Sequence, residues 1–185
     1  TPAVPKTAAP LATAASPRPD VIPVATALRP AKKAAIAGKL PRFHLEPDDP
    51  IVDAPSIGPK TAKRLQQVGI HCVDAFLECS PADIISLLEV STISLEEVRT
   101  WQQQARLMCQ VPGLRGHDVQ MLVACGVTDP DQLAGEDATR LHQQVTCFVG
   151  TPTARRIMRN PTVPEKAEVK NWVAYATHAR SLRAA

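Results

Sequence analysis

The sequence predicts an all-α protein, and three observations carry that expectation. Aromatic residues make up only 3% of the chain, and alternating β-branched runs are nearly absent, so there is little from which to build strands. After residue 60 the chain is dominated by Leu, Ala, Gln, Glu and Arg, residues that enter a helix at little cost. Third, the stretch Ala54 to Ile70 returns as Val111 to Val127 in one constant register, pairing Pro55 with Pro112, Ile57 with Leu114, Ala62 with Val119, Leu65 with Leu122, Gly69 with Gly126 and Ile70 with Val127. A chance match does not hold one register over so many positions. The core is therefore read as a duplication.

Taken in order, residues 1–42 are rich in Pro and Ala and too poor in core-forming side chains to order themselves, so a disordered tail or linker is expected there. Phe43 to Asp53 is acidic and interrupted by Pro47 and Pro50, which leaves room for a single helical turn. A helix follows from about Pro59 to Val68, with Pro and Gly at its entry and Ala62, Leu65 and Val68 at helical spacing. Gly69 and Gly126 are placed to end their helices in a left-handed residue, with Ile70 and Val127 folding back onto the last turn. Ser80-Pro81-Ala82-Asp83 opens a short helix with a cap, a first-position proline and a first-turn acid, and Ile84, Ile85, Leu87 and Leu88 are expected to bury it. Ser94-Leu95-Glu96-Glu97 is a capping-box signature for a longer helix to about Cys109, on which Val98, Trp101, Ala105 and Met108 form a packing stripe with Trp101 as anchor. That helix runs directly into the second copy.

The duplication reaches further, because Glu97 to Trp101 recurs as Glu168 to Trp172, with Ala105 matched by Ala176. The register here is longer than that of the turns, so the second copy carries an insertion. It lies after Leu141, around Cys147 to Pro164, where Gly150, Pro152, Pro161 and Pro164 break the pattern. Three segments result: the tail at 1–42, a first unit at 43–110 and a second at 111–185.

Each repeated turn resembles the helix-hairpin-helix motif, whose hairpin reads hydrophobic-x-Gly-hydrophobic-Gly and presents backbone amides at the start of its second helix. Each copy keeps one of the two glycines, as Ser56-Ile57-Gly58 and as Gly113-Leu114-Arg115. In that family the amides hold a nucleic-acid phosphate, a role consistent with unpaired N–H groups and the positive end of a helix dipole converging there. Two such units, each with a Trp-bearing helix, resemble the domain of unknown function 4332 family of bacterial proteins over about Asp53 to Ala179. The resemblance implies a compact bundle of paired helix-hairpin-helix units and no agreed activity.

Charge divides the chain sharply. Residues 1–42 carry seven basic residues against Asp20 alone, a net of +6, while the remainder has fourteen basic and seventeen acidic residues, a net of −3. The basic balance belongs to the tail, whose Arg29 to Ala35 stretch suits loose attachment to phosphates by counterion release. Within the units, Ile57, Gly58 and Lys60 are the candidate phosphate grip, with Lys63 and Arg64 adding charge. The second copy offers Gly113 and Arg115, but places His117, Asp118 and Gln120 opposite Lys60, Thr61 and Lys63, so the first copy is favoured. Arg155, Arg156 and Arg159 in the insertion form the densest basic cluster after the tail, serving either as phosphate contacts or as the solvated face of a short helix.

Catalysis finds no constellation. His71 and Cys72 are neighbours in sequence, which do not ordinarily face each other as nucleophile and base; a surface imidazole and a buried thiol are expected instead. Gly58-Pro59-Lys60-Thr61 lacks the preceding glycine of a phosphate-binding loop. His44, His117, His142 and His178 are scattered without metal-ligand spacing, and Cys72, Cys79, Cys109, Cys125 and Cys147 form no C-x-x-C pair, so no metal or other cofactor is expected and the thiols are read as reduced core residues of a cytoplasmic protein. No membrane span or signal peptide is expected from the apolar runs, and because the sequence begins at Thr1 it is read as a fragment of a longer chain, with a targeting sequence or other domains, such as an upstream domain, lying outside it. Two functions fit: a non-catalytic, non-sequence-specific DNA-binding module, and a protein-interaction or architectural module in which the turns are only a folding device.

Overall fold

Local signals in the sequence become helix boundaries in the computed structural model, which describes residues 40–88, 92–158 and 160–182. A 3-10 turn, Ile51–Asp53, is the single turn left room for between the prolines and the first repeated stretch. It is followed by α1 (Pro59–Gln67), α2 (Val73–Glu78), α3 (Pro81–Leu88), α4 (Leu95–Gln110), α5 (Gly116–Ala124), α6 (Pro130–Gly135), α7 (Ala138–Val149), α8 (Pro152–Ile157) and α9 (Lys166–Ala176). Among the described residues the protein is all-α. The tail expected over residues 1–42 lies outside the described residues up to position 39.

The repeat holds element by element. The starts of α5, α6 and α7 follow those of α1, α2 and α3 at one common interval, and α9 follows α4 at a longer one. The inserted residues are spent on a longer α7 and on α8. Packing repeats as well: α4 lies against α2 and α3, and α9 lies against α6 and α7. Both α1 and α5 end in the same hydrogen-bonded lock. Gly69 (φ 90°) and Gly126 (φ 85°) are left-handed, the N–H of Ile70 donates to the carbonyl of Leu65 at 2.9 Å, and that of Val127 donates to Leu122 at 2.9 Å. The carbonyls that each helix would leave unpaired are thereby satisfied, and Ile70 and Val127 are buried behind them.

One continuous core joins the two units, with Leu65, Phe76, Ile84, Leu107, Leu114, Leu122, Leu133 and Leu141 all inaccessible to solvent. Helix α4 is its spine. Ser94 and Glu97 form the reciprocal capping box that starts it, with the N–H of Glu97 donating to Ser94 Oγ at 3.2 Å and the N–H of Ser94 donating to Glu97 Oε2 at 2.8 Å. Gln102 is buried on α4 because both of its amide protons find acceptors: Nε2 donates to the carbonyls of Phe76 (2.6 Å) and Cys79 (2.8 Å) at the end of α2.

Three packing expectations are corrected. Leu87 is 50% exposed, because α3 turns only its Ile84 and Leu88 face inward. Trp101 is half-buried at the edge of α4, whereas Trp172 on α9 is 2% exposed and is the true aromatic anchor. Of the five cysteines, all free, only Cys109 is buried; Cys72, Cys79 and Cys125 are half-buried and Cys147 is exposed. Burial pushes the Cys109 thiol up to about 12.

The ends of the described chain are held by Arg180. Its Nε donates to the carbonyl of Cys109 at 2.7 Å, one terminal nitrogen donates to that of Leu45 at 3.2 Å and the other pairs with Glu46 at 2.6 Å. The guanidinium also stacks on Phe43, 3.9 Å from the ring centre. Residues 43–46 are thus strapped across the end of α4.

Candidate nucleic-acid interface

The two repeated turns have the same backbone but different surroundings. In each, a left-handed residue comes first and the helix N-cap comes two residues later. The left-handed position is Ser56 (φ 63°) in the first turn and Gly113 (φ 80°) in the second; the cap is Gly58 (φ −81°) or Arg115 (φ −104°), both in ordinary extended conformation. A glycine is therefore conformationally favoured only at the first of these positions, and Ser56 fills it at a cost of about 1 kcal/mol. Its hydroxyl holds it there, donating to Gln104 Oε1 at 2.7 Å and accepting from Gln120 Nε2 at 2.9 Å. These bonds tie the first turn to α4 and α5.

The first turn is open. No side chain caps α1, and Pro59 has no N–H to offer. Among the described residues the amides of Gly58, Lys60 and Thr61 have no protein acceptor. Ile57 is buried beneath the turn, and its N–H, expected to join the phosphate grip, instead donates to the carbonyl of Ala54 at 3.2 Å, so it anchors the turn from within. Lys60, Lys63 and Arg64 are all exposed on α1, and none of them enters an ion pair among the described residues. The start of α1 thus presents unpaired N–H groups with three cations beside it.

The second turn is covered. The N–H of Gly113 donates to the carbonyl of Arg42 at 3.0 Å, and a Cβ at Gly113 would stand 2.7 Å from Pro41 Cγ and 3.3 Å from Tyr175 Cδ2. Pro41 and Arg42, which composition assigns to the tail, are packed on this turn. The N–H of Arg115 is taken by Asp118 Oδ2 at 2.9 Å. Asp118 itself is 1% exposed, while the Arg115 side chain is exposed. At this helix start the pKa of His117 is raised from its ordinary value, chiefly by the Asp118 carboxylate at its ring and further by Glu168, against the opposing effect of burial. That of His44 is lowered by burial and by the charges of Arg42 and Arg115.

Arg155 and Arg156 are exposed on α8, which Thr151 caps by accepting from the N–H of Ala154 at 3.2 Å. Arg159 lies outside the described residues. Arg156 borders a groove of about 940 Å³ between α4, α5 and α8, to which Ser56, Trp101, Gln120, Phe148 and Ile157 also contribute. The structure brings Arg156 and the first turn to that groove; Lys60, Lys63 and Arg64 are not part of its lining.

The comparisons add to this geometry. A family model described as a domain of unknown function (DUF4332) matches residues 55–179. The chain belongs to that family. The DUF4332 span starts at Pro55 inside the first turn and ends at Ala179, so it takes in α1 to α9 and leaves out the 3-10 turn, residues 40–54 and Arg180. Neither the curated proteins nor the solved structures yield a match.

Sequence reasoning missed Ser56, Gln104 and Gln120 as the lock of the first turn, and Asp118 as the group that fills the second. Asp118 carried a signal, an acid three residues after a helix cap. The Ser56 bonds reach across 48 and 64 positions of sequence and carried none. The histidines are scattered in sequence, yet the fold sets His117 against Asp118 and Glu168.

Proposed function

We propose that this DUF4332 domain is a non-catalytic, non-sequence-specific DNA-binding module whose first turn, of helix-hairpin-helix type, grips a single backbone phosphate. The observation that carries the reading is the asymmetry of the two helix starts, uncapped at α1 with Lys60, Lys63 and Arg64 exposed alongside, and filled by a carboxylate at α5. Uncapped amides at the positive end of a helix dipole favour an anion, and exposed cations extend the attraction. Contacts of this kind position a protein on the duplex without reading bases. Arg156 and the basic residues of the tail add charge, and a cytoplasmic setting suits the free thiols.

A protein-interaction module is the second reading, favoured by the groove with Trp101, Phe148 and Ile157 on its walls and by the net −3 of the chain after residue 42. It keeps the turns as a folding device only.

Fluorescence anisotropy of a labelled duplex separates the two. The full chain, a form beginning at Leu40, and that shorter form with Lys60, Lys63 and Arg64 changed to Ala are titrated at low and physiological salt. Micromolar binding by the shorter form, falling with salt and lost in the triple variant, is expected from a phosphate grip. Binding by the full chain alone assigns all affinity to the tail and ends the hairpin mechanism in favour of a protein partner.

A further inference from the structure

The start of α5 holds a group of side chains that phosphate binding leaves unused. His117 and Asp118 are adjacent in its first turn, Glu168 stands in the first turn of α9, and one donor atom from each lies within 4.8 Å of the other two. Asp118 is 1% exposed. Its Oδ2 is held by the N–H of Arg115, but its Oδ1 is buried and receives no hydrogen bond. The His117 Nε2 atom stands 3.0 Å from that oxygen, within ion-pair range but outside hydrogen-bond geometry. A carboxylate oxygen that is desolvated and lacks a hydrogen-bond donor calls for a positive charge in front of it, which protonated His117 supplies in the metal-free protein and a cation bound by both groups would supply in its place.

We propose that His117, Asp118 and Glu168 bind a divalent metal cation of the zinc class. One imidazole nitrogen and two carboxylate oxygens are a donor set that such ions accept, and the imidazole selects them over magnesium and calcium. In a tetrahedral shell with bonds of about 2.0–2.1 Å, neighbouring donors lie roughly 3.4 Å apart. The His117 to Asp118 separation of 3.0 Å is close to that spacing, and the Glu168 donor lies within 4.8 Å of both. The Asp118 carboxylate is oriented from behind by a backbone N–H, as a ligand's outer partner should orient it. The His117 side chain, 49% exposed, also lines a pocket of about 460 Å³ from which an ion can reach its ring. With three protein donors, water or an external ligand completes the shell, and the bound ion clamps α5 to α9 across the inserted segment.

The test uses the full chain after removal of metal by a chelator. Titration with Co²⁺ is expected to give visible d–d bands that saturate at one ion per chain, without the near-ultraviolet charge-transfer band of a thiolate ligand. One equivalent of Zn²⁺ should bleach them and raise the unfolding midpoint, and Mg²⁺ should do neither. Glu168→Gln and His117→Gln, both at accessible side chains, should each weaken Co²⁺ binding by about tenfold or more, with the metal-free midpoint as the measure of folding. Cys147→Ser should leave the bands unchanged. Absence of bands and of a midpoint shift overturns the site, as does binding that survives Glu168→Gln or shows a thiolate band; Glu168→Gln decides the matter if His117→Gln does not fold.

Discussion

The first turn and the second are copies of one backbone, yet one is open to solvent and the other is packed over. At the first, Gly58 leaves α1 uncapped; at the second, Asp118 occupies the N–H of Arg115, and Pro41 and Arg42 lie on Gly113. The difference lies in what has been placed over each turn. Duplication supplies two equivalent helix starts, and a few residues that differ between the copies or precede them then decide which one keeps its N–H groups unpaired. Pro41 and Arg42 sit outside the DUF4332 span, immediately before the residues 43–46 that Arg180 straps down, whereas Asp118 lies within it.

The sharpest way to break the comparison is at its covered member. Gly113→Ala places a Cβ at φ 80° and 2.7 Å from Pro41 Cγ. Left-handed strain and displacement of Pro41 together are expected to cost about 2–3 kcal/mol. Gly126→Ala is the control, because it is equally left-handed at φ 85° but meets nothing within 4 Å, so only the strain of about 1 kcal/mol is expected. Urea denaturation of both variants measures the gap. Equal losses would mean that Pro41 gives way freely and does not cover the turn.

Most of the fold was legible because its signals are local. A serine cap, a first-turn acid or a left-handed glycine acts on its own helix end, and the starts and stops inferred from them recur in the structure to within a residue or two. Burial was less legible. Leu87 and Trp101 sit at helical spacing with core residues, but how wide a face is covered depends on neighbours distant in sequence. The same limit governs the candidate site: the cations beside the first turn, Lys60 and Lys63, are visible in the sequence, whereas the cover on the second depends on Pro41 meeting Gly113 from far along the chain.

A smaller effect is expected where the cover is fastened. Arg180→Met keeps the length of the side chain but removes its bonds to Cys109, Leu45 and Glu46 and its charge over Phe43. With the side chain 31% exposed, the loss should be about 1–2 kcal/mol. Residues 43–46 should then lift more often, and Cys109, buried at the end of α4 where Arg180 holds its carbonyl and kept protonated by burial, should react faster with a thiol reagent. The exposed Cys147 provides the internal reference, since its rate should not change. An unaltered ratio of the two rates would show that Arg180 does not fasten the strap.

The smallest effects test the open turn, where strain and hydrogen bonding oppose each other at one residue. Ser56→Ala keeps the left-handed strain and removes the hydroxyl, leaving Gln104, 2% exposed, without its partner; a loss of about 1–2 kcal/mol is expected. Ser56→Gly also removes the hydroxyl but releases the strain, so its cost should be smaller by about 1 kcal/mol and close to zero. Because both lose the same bonds, the difference between the two variants measures the strain less the extra chain entropy that glycine loses on folding. If they are equally destabilised, the left-handed conformation of Ser56 carries no strain beyond that entropy, and the glycine of the second turn is then explained entirely by the close approach of Pro41 and not by the backbone it shares with the first.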